Sequence, residues 1–311
     1  MKRFFYFSLI AMAAMAFAGC QEKEEDLQEE QPQEQERTWT LTMRAQRVDG
    51  PETKGLEIGD GESLANTQSL LNIWEGYEYV QVYLGDVLVG SLRAEPDASD
   101  AHYATLTGSL TTTANIVAGT TRLTLISPVS LDSWSYTGQE GVLEGVVNED
   151  NSIEAKYNVV MAENVLVTNV DGDNITTEQA LFESQQSIYR LSFRFQKGGE
   201  GTKNPITAQR VTISAANGGL WRSNADGTGD ITVALRNATT DPFFVALRNL
   251  NTTDAEALNF QVVDDGGYTY LGSKTIPAEL KANGTFVSIK NATLTGRLGI
   301  TKSTESVDEA L

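Results

Sequence analysis

The stretch TWTLTMRAQ, residues 38–46, sets Trp39, Leu41, Met43 and Ala45 against Thr38, Thr40, Thr42 and Arg44 in strict alternation. Successive side chains of a strand point to opposite faces, so this spacing separates apolar from polar only when the backbone is extended. The pattern recurs along the chain. YVQVYLGDVLVGSLRA (79–94) holds two such runs that meet at Gly85-Asp86, a dipeptide that accepts the positive φ of a two-residue hairpin turn. ATLTGSLTTT, TTRLTLISPV, YNVVMAENVLVTNV, SIYRLSFRFQ, AQRVTISAA, GDITVAL, FFVALRN, LNFQVVDDGGYTYLGS and GTFVSIKNATLTGRLGIT have the same strand character. No amphipathic helix of ordinary length is present, and TTEQALFES (176–184) offers one or two helical turns at most. Many short strands punctuated by Gly, Asn, Asp and Pro predict an all-β chain built of β-sandwiches. Residues 38–311 exceed what one sandwich needs, which predicts two consecutive sandwich domains, 38–180 and 181–311, with the boundary in the acidic, turn-rich NVDGDNITTEQ (169–179).

The N-terminus has a different logic. Lys2 and Arg3 precede an apolar run from Phe4 to Phe17, broken by Ser8 and closing on Ala18 and Gly19, which is the order of a secretory signal peptide over residues 1–19. The run is too short to cross a bilayer as a helix, and no later stretch comes close. Cys20, the only cysteine, follows directly, so no disulfide can form within the chain. Its position resembles a bacterial lipobox, with Phe17 where Leu is usual. That resemblance implies that Cys20 becomes the mature N-terminus and carries acyl chains such as palmitate; two or three chains hold a protein stably to a membrane. The alternative is an ordinary secretory signal with an incidental or buried Cys.

Residues 21–36 contain seven Glu, one Asp and five Gln against one Lys, a composition that cannot repay the entropy of ordering. Residues 20–37 are therefore expected to be the lipidated Cys and a disordered acidic tether. An acidic run at this place also resembles the export signal that carries some lipoproteins to the outer face of the outer membrane. The formal charge of −19, about −21 without the leader, speaks against nucleic acid as a partner, because phosphate binding needs clustered Lys and Arg.

Signatures of chemistry are sparse. His102, the only histidine, lies in the polar loop PDASDAHYA, where Ser-His or Cys-His catalysis would depend on it alone. There is no HExxH, P-loop or CxxC, so no metal ligand set and no cofactor is expected. DGDN (171–174) and DGTGD (226–230) lack the closing Glu of a calcium loop and read as turns. Glycoside hydrolysis asks only for two carboxylates at a set separation and stays open in a chain with 42 acidic residues. Trp134 with Tyr136 in DSWSYTG is either a stacking surface for sugar rings or a loop plug that closes the end of a sandwich. The expectation is a protein that is not an enzyme.

The body of the chain resembles the fimbrillin family, the type V pilins and fimbrillin-like surface lipoproteins of anaerobic Gram-negative bacteria. The resembling segments are MRAQRVDGPETKGL (43–56), IWEGYEYVQVY (73–83), YTGQEGVLEGV (136–146), ALFESQQSIYRLSF (180–193) and FFVALRN (243–249), in this order. The resemblance implies sandwiches of the transthyretin-like or Greek-key type and a fimbrial, adhesive role at the outer membrane. It also implies an Arg- or Lys-specific cut after a removable first strand, here carrying Trp39, Leu41 and Met43, whose groove accepts a strand from the next subunit. Arg47 opens the turn-prone VDGPETKG and is the first candidate for that cut, with Arg44 and Lys54 next. Partners would be the membrane through the anchor and other fimbrial subunits or host or bacterial surface ligands. The polar end LGITKSTESVDEAL departs from an apolar donor strand and points to an accessory or terminal subunit, or to a lipoprotein that does not polymerise. A glycan-binding surface lipoprotein of a polysaccharide-uptake system is the alternative.

Overall fold

The computed structural model describes residues 35–48, 73–76, 78–131, 134–144, 151–215, 230–248, 255–278, 284 and 286–298. The expected leader, Cys20 and Lys54 lie outside these residues. The described chain is all-β, and its helical pieces are single turns such as the π-helical Ile153–Tyr157. None of its helices is long and apolar enough to cross a membrane.

The first eight strands are β1 (Arg37–Arg47), β2 (Tyr79–Leu84), β3 (Val87–Pro96), β4 (Tyr103–Thr112), β5 (Arg122–Ser127), β6 (Val160–Asp171), β7 (Asn174–Thr177) and β8 (Ala180–Ser184). The β2–β3 hairpin turns at Gly85-Asp86 as its sequence demands, with Gly85 at φ +60 and Leu84 paired with Val87. TTEQALFES is not helical. Ile175, Ala180 and Phe182 face the core at extended spacing, and the stretch splits into β7 and β8. Alternation predicts an apolar inner face but not how the sheet ends. Here the order β4-β3-β2-β5-β6-β7-β1 returns on itself because β1 also pairs with β4, so seven strands form a closed, barrel-like sheet. β8 bridges β6 and β1. Closure leaves no free edge in that ring.

The remaining strands are β9 (Ser187–Phe195), β10 (Asn204–Pro205), β11 (Ala208–Ala215), β12 (Ile231–Thr239), β13 (Phe243–Leu247), β14 (Glu256–Asp264), β15 (Thr269–Ile276), β16 (Phe286–Leu294) and β17 (Gly296–Leu298). β9 is flanked by antiparallel β10 and β13 and by parallel β16, while β12-β11-β14-β15-β17 make a five-stranded sheet. The buried faces of both sheets share one core, including Leu191, Phe193, Val211, Phe260 and Val287. Tyr136, Leu143, Ile153 and Tyr157 join this core from ahead of residue 180. Tyr83, Ile126, Val159 and Met161 form a separate small cluster, and Trp134 packs against both this cluster and the second core.

Candidate functional site

β1 holds the ring shut. Its alternation puts Trp39, Leu41, Met43 and Ala45 into the core, each almost fully buried, and turns Thr38, Thr40 and Thr42 outward. Three large side chains at roughly 1.5 to 3 kcal/mol each make this strand a major source of the ring's stability. Its antiparallel edge pairs with β4 continuously from Arg37↔Thr112 to Gln46↔Tyr103. The parallel edge is held at two places: Thr40 and Leu41 pair with Asn174 and Ile175 of β7, and Ala45 to Arg47 pair with Ala180 to Phe182 of β8. β1 is therefore an interior strand, neighboured on both sides, and not the edge strand that solvent-facing basic residues would protect.

Both ends are fastened by arginines. Arg37 donates to Asp173 Oδ1 at 2.7 Å and to the Gly172 carbonyl at 2.8 Å, and its guanidinium lies 3.9 Å from the Trp39 ring centroid. The DGDN turn thus engages one carboxylate with the start of β1. Arg47 is the last residue of β1 and faces inward, with 3% of its side chain exposed. Its guanidinium donates to Glu78 Oε1 at 2.6 Å and sits 4.5 Å from the Trp74 ring centroid, while Trp74 meets Phe182 edge-on. The Arg47 amide donates to the His102 carbonyl, and the Val48 amide to the Phe182 carbonyl. Burial pushes the Glu78 carboxyl above its ordinary range, against the opposing pull of Arg47 and the Glu75 amide. Removing one partner of such a pair strands a charge in the interior.

Of the candidate cleavage residues, Arg47 lies inside the strand with its side chain locked, in contrast to the loop opening its sequence suggests. Arg44 points outward, 3.5 Å from Asp97 Oδ2 and 4.9 Å from the Tyr103 ring centroid, but its backbone is paired with Thr105. Lys54 follows β1 in sequence and lies outside the described residues. Trp39, Leu41 and Met43 form one continuous inward row of the strand that closes the ring. Sequence reasoning missed Glu78 and Trp74. The only signal for them was the parity that gives Arg47 the same face as Trp39.

The other candidates take structural places. His102 lies in the β3–β4 connection, with Nδ1 2.8 Å from Asp100 Oδ1. Tyr136 is buried and donates to Gln186 Oε1 at 3.0 Å, and burial drives its phenol far above the usual range. Trp134 lies under the Arg248 guanidinium at 3.9 Å. The pair therefore offers no open stacking platform.

No protein-family model matches the chain, and no curated protein matches its sequence. Among solved structures it is similar to a candidate cell adhesion protein from Bacteroides fragilis, with 12% identity, a TM-score of 0.37, and coverage of 83% of this chain and 95% of that one. A fimbrial assembly protein from Parabacteroides distasonis gives 13% identity and a TM-score of 0.33 over 82% of this chain and 91% of that one. A candidate cell adhesion protein from Bacteroides uniformis gives 11% identity and a TM-score of 0.35 over 87% of this chain and all of that one, 100%.

Proposed function

We propose that the chain is a fimbrillin-like structural and adhesive component of the bacterial outer surface, tethered through Cys20, in which β1 is the strand exchanged during assembly. The observation that carries this reading is the position of β1. It directly follows the acidic tether, pairs on both edges, and closes an otherwise continuous sheet around a core that Trp39, Leu41 and Met43 complete. Taking it away leaves two facing strand edges and an apolar slot, which is the geometry that β-augmentation fills with a strand from another chain. A cut after Arg44 or Arg47 requires β1 to leave its ladders first, because proteases bind substrate backbone extended and unpaired.

The test is a protein with a specific protease site inserted after Lys54. Once nicked, it should take up a labelled peptide of sequence RTWTLTMRAQR and release its own N-terminal fragment, read by size-exclusion chromatography. If the nicked protein keeps its fragment and ignores the peptide under conditions that loosen the ring, strand exchange is lost as the mechanism. The anchor is checked separately. Cys20→Ala should abolish incorporation of radiolabelled palmitate and shift the protein from the membrane to the soluble fraction; labelling that persists in the variant places the lipid at another residue, and a parent that takes up no label has no acyl anchor.

A further inference from the structure

The outward face of the sheet β12-β11-β14-β15 has an unusual chemistry. Its central positions are Thr232, Thr212, Ser214, Asn259, Gln261 and Ser273, alternating with the buried residues of the second core. Register sets Thr232 beside Thr212 and Thr212 beside Gln261 in one row, and Ser214 beside Asn259 and Asn259 beside Ser273 in the next. The Thr212 and Thr232 hydroxyls are 3.0 Å apart. Most of these residues, with Leu271, line an open groove of about 680 Å3, bounded where Thr293, Thr295 and Gly296 lead into β17.

In a chain that is 21% charged and carries −19, Asp230 is the one ionisable group in this lining among the described residues, and it stands exposed just before β12. Arg210 lies at the opposite end, at the β11 bulge. A second concavity, of about 480 Å3 on the ring, is lined instead by Arg93 and Glu95. Neutral hydroxyls and amides both donate and accept hydrogen bonds, as sugar hydroxyls do. An uncharged floor offers no counter-ion to sulfate, phosphate or uronate, and the negative field of the whole chain repels them. Leu271 adds an apolar spot for the C–H face of a sugar ring.

We propose that this groove binds a neutral oligosaccharide or polysaccharide. The site is separate from β1 and independent of strand exchange. The experiment titrates the purified full-length chain with mannan, dextran and xylan, with heparin as the charged comparison, by isothermal titration calorimetry. At least one neutral polymer should bind, and heparin should not. Asn259→Ala with Gln261→Ala, on the exposed face, should weaken that binding about tenfold or more while leaving thermal stability unchanged. The same substitution at Thr105 and Thr107 on the ring should leave binding at the parental level. Absence of binding to all three neutral polymers, binding to heparin alone, or parental affinity in the Asn259/Gln261 variant would each overturn the assignment.

Discussion

At the residue scale, Arg47 shows how far alternation can be pushed. It follows Trp39, Leu41, Met43 and Ala45 at the same odd parity, and where the turn-prone residues after it suggested a loop opening, the strand runs on through it and turns its side chain inward. Its partner was not legible in the chain, because Glu78 lies 31 positions further on and nothing local announces the pair. Arg47→Ala leaves the Glu78 carboxyl buried without its guanidinium and should cost about 3 kcal/mol in urea-induced unfolding, and Glu78→Ala should also destabilise. Replacing both by Leu removes both charges from the interior and keeps the volume, so the double variant should be markedly more stable than Arg47→Ala alone. Equal destabilisation in single and double variants would mean that packing of the arginine stem against Trp74, and not the ion pair, fastens this end of β1.

At the scale of elements, protection of edges decides which strands can exchange. β13 has β9 on one side, and on the other its ladder is completed by a side chain. Gln139 accepts from the Ala246 amide at 2.7 Å through Oε1 and donates to the Ala246 carbonyl at 2.9 Å through Nε2, imitating a neighbouring strand's backbone. The Phe244 amide donates to the Gly141 carbonyl beside it. Gln139 is buried and its Nε2 also donates to the Tyr136 carbonyl, so Gln139→Ala strands three backbone groups and should lower stability by about 2 kcal/mol or more. Gln139→Glu keeps an acceptor for the Ala246 amide but brings no donor for either carbonyl and should be no better. Denaturant midpoints check both, and parental stability in either would show that water replaces the amide without loss. Gln139 lies in a turn-rich stretch between apolar segments, where sequence gives no sign that an amide will serve as a strand.

For the molecule as a whole, Trp134 packs against both the second core and the small cluster of Tyr83, Ile126, Val159 and Met161, in which Tyr83 and Ile126 belong to the ring strands β2 and β5, and the Tyr83 hydroxyl accepts from the Leu131 amide at 3.1 Å. That contact between ring strands and the second core makes cooperative unfolding the expectation, seen as a single calorimetric transition. Trp134→Ala should divide it into two, one for the ring and one for the second core. A variant that still melts in one step would show that the chain crossings at β6 and β9 suffice for coupling. What the sequence alone determined was local: extended backbone in the alternating runs, the inward row of β1, and the turn at Gly85-Asp86. What only the tertiary structure decided was who stands next to whom. Alternation fixes the face a side chain takes, whereas the hydrogen-bonding edges of a strand are the same backbone groups whatever the residues. Hence the pairing of β1 with β4 on one side and with β7 and β8 on the other, the closure that follows, and the splitting of TTEQALFES into strands were settled by long-range contacts that leave no periodic mark in the chain.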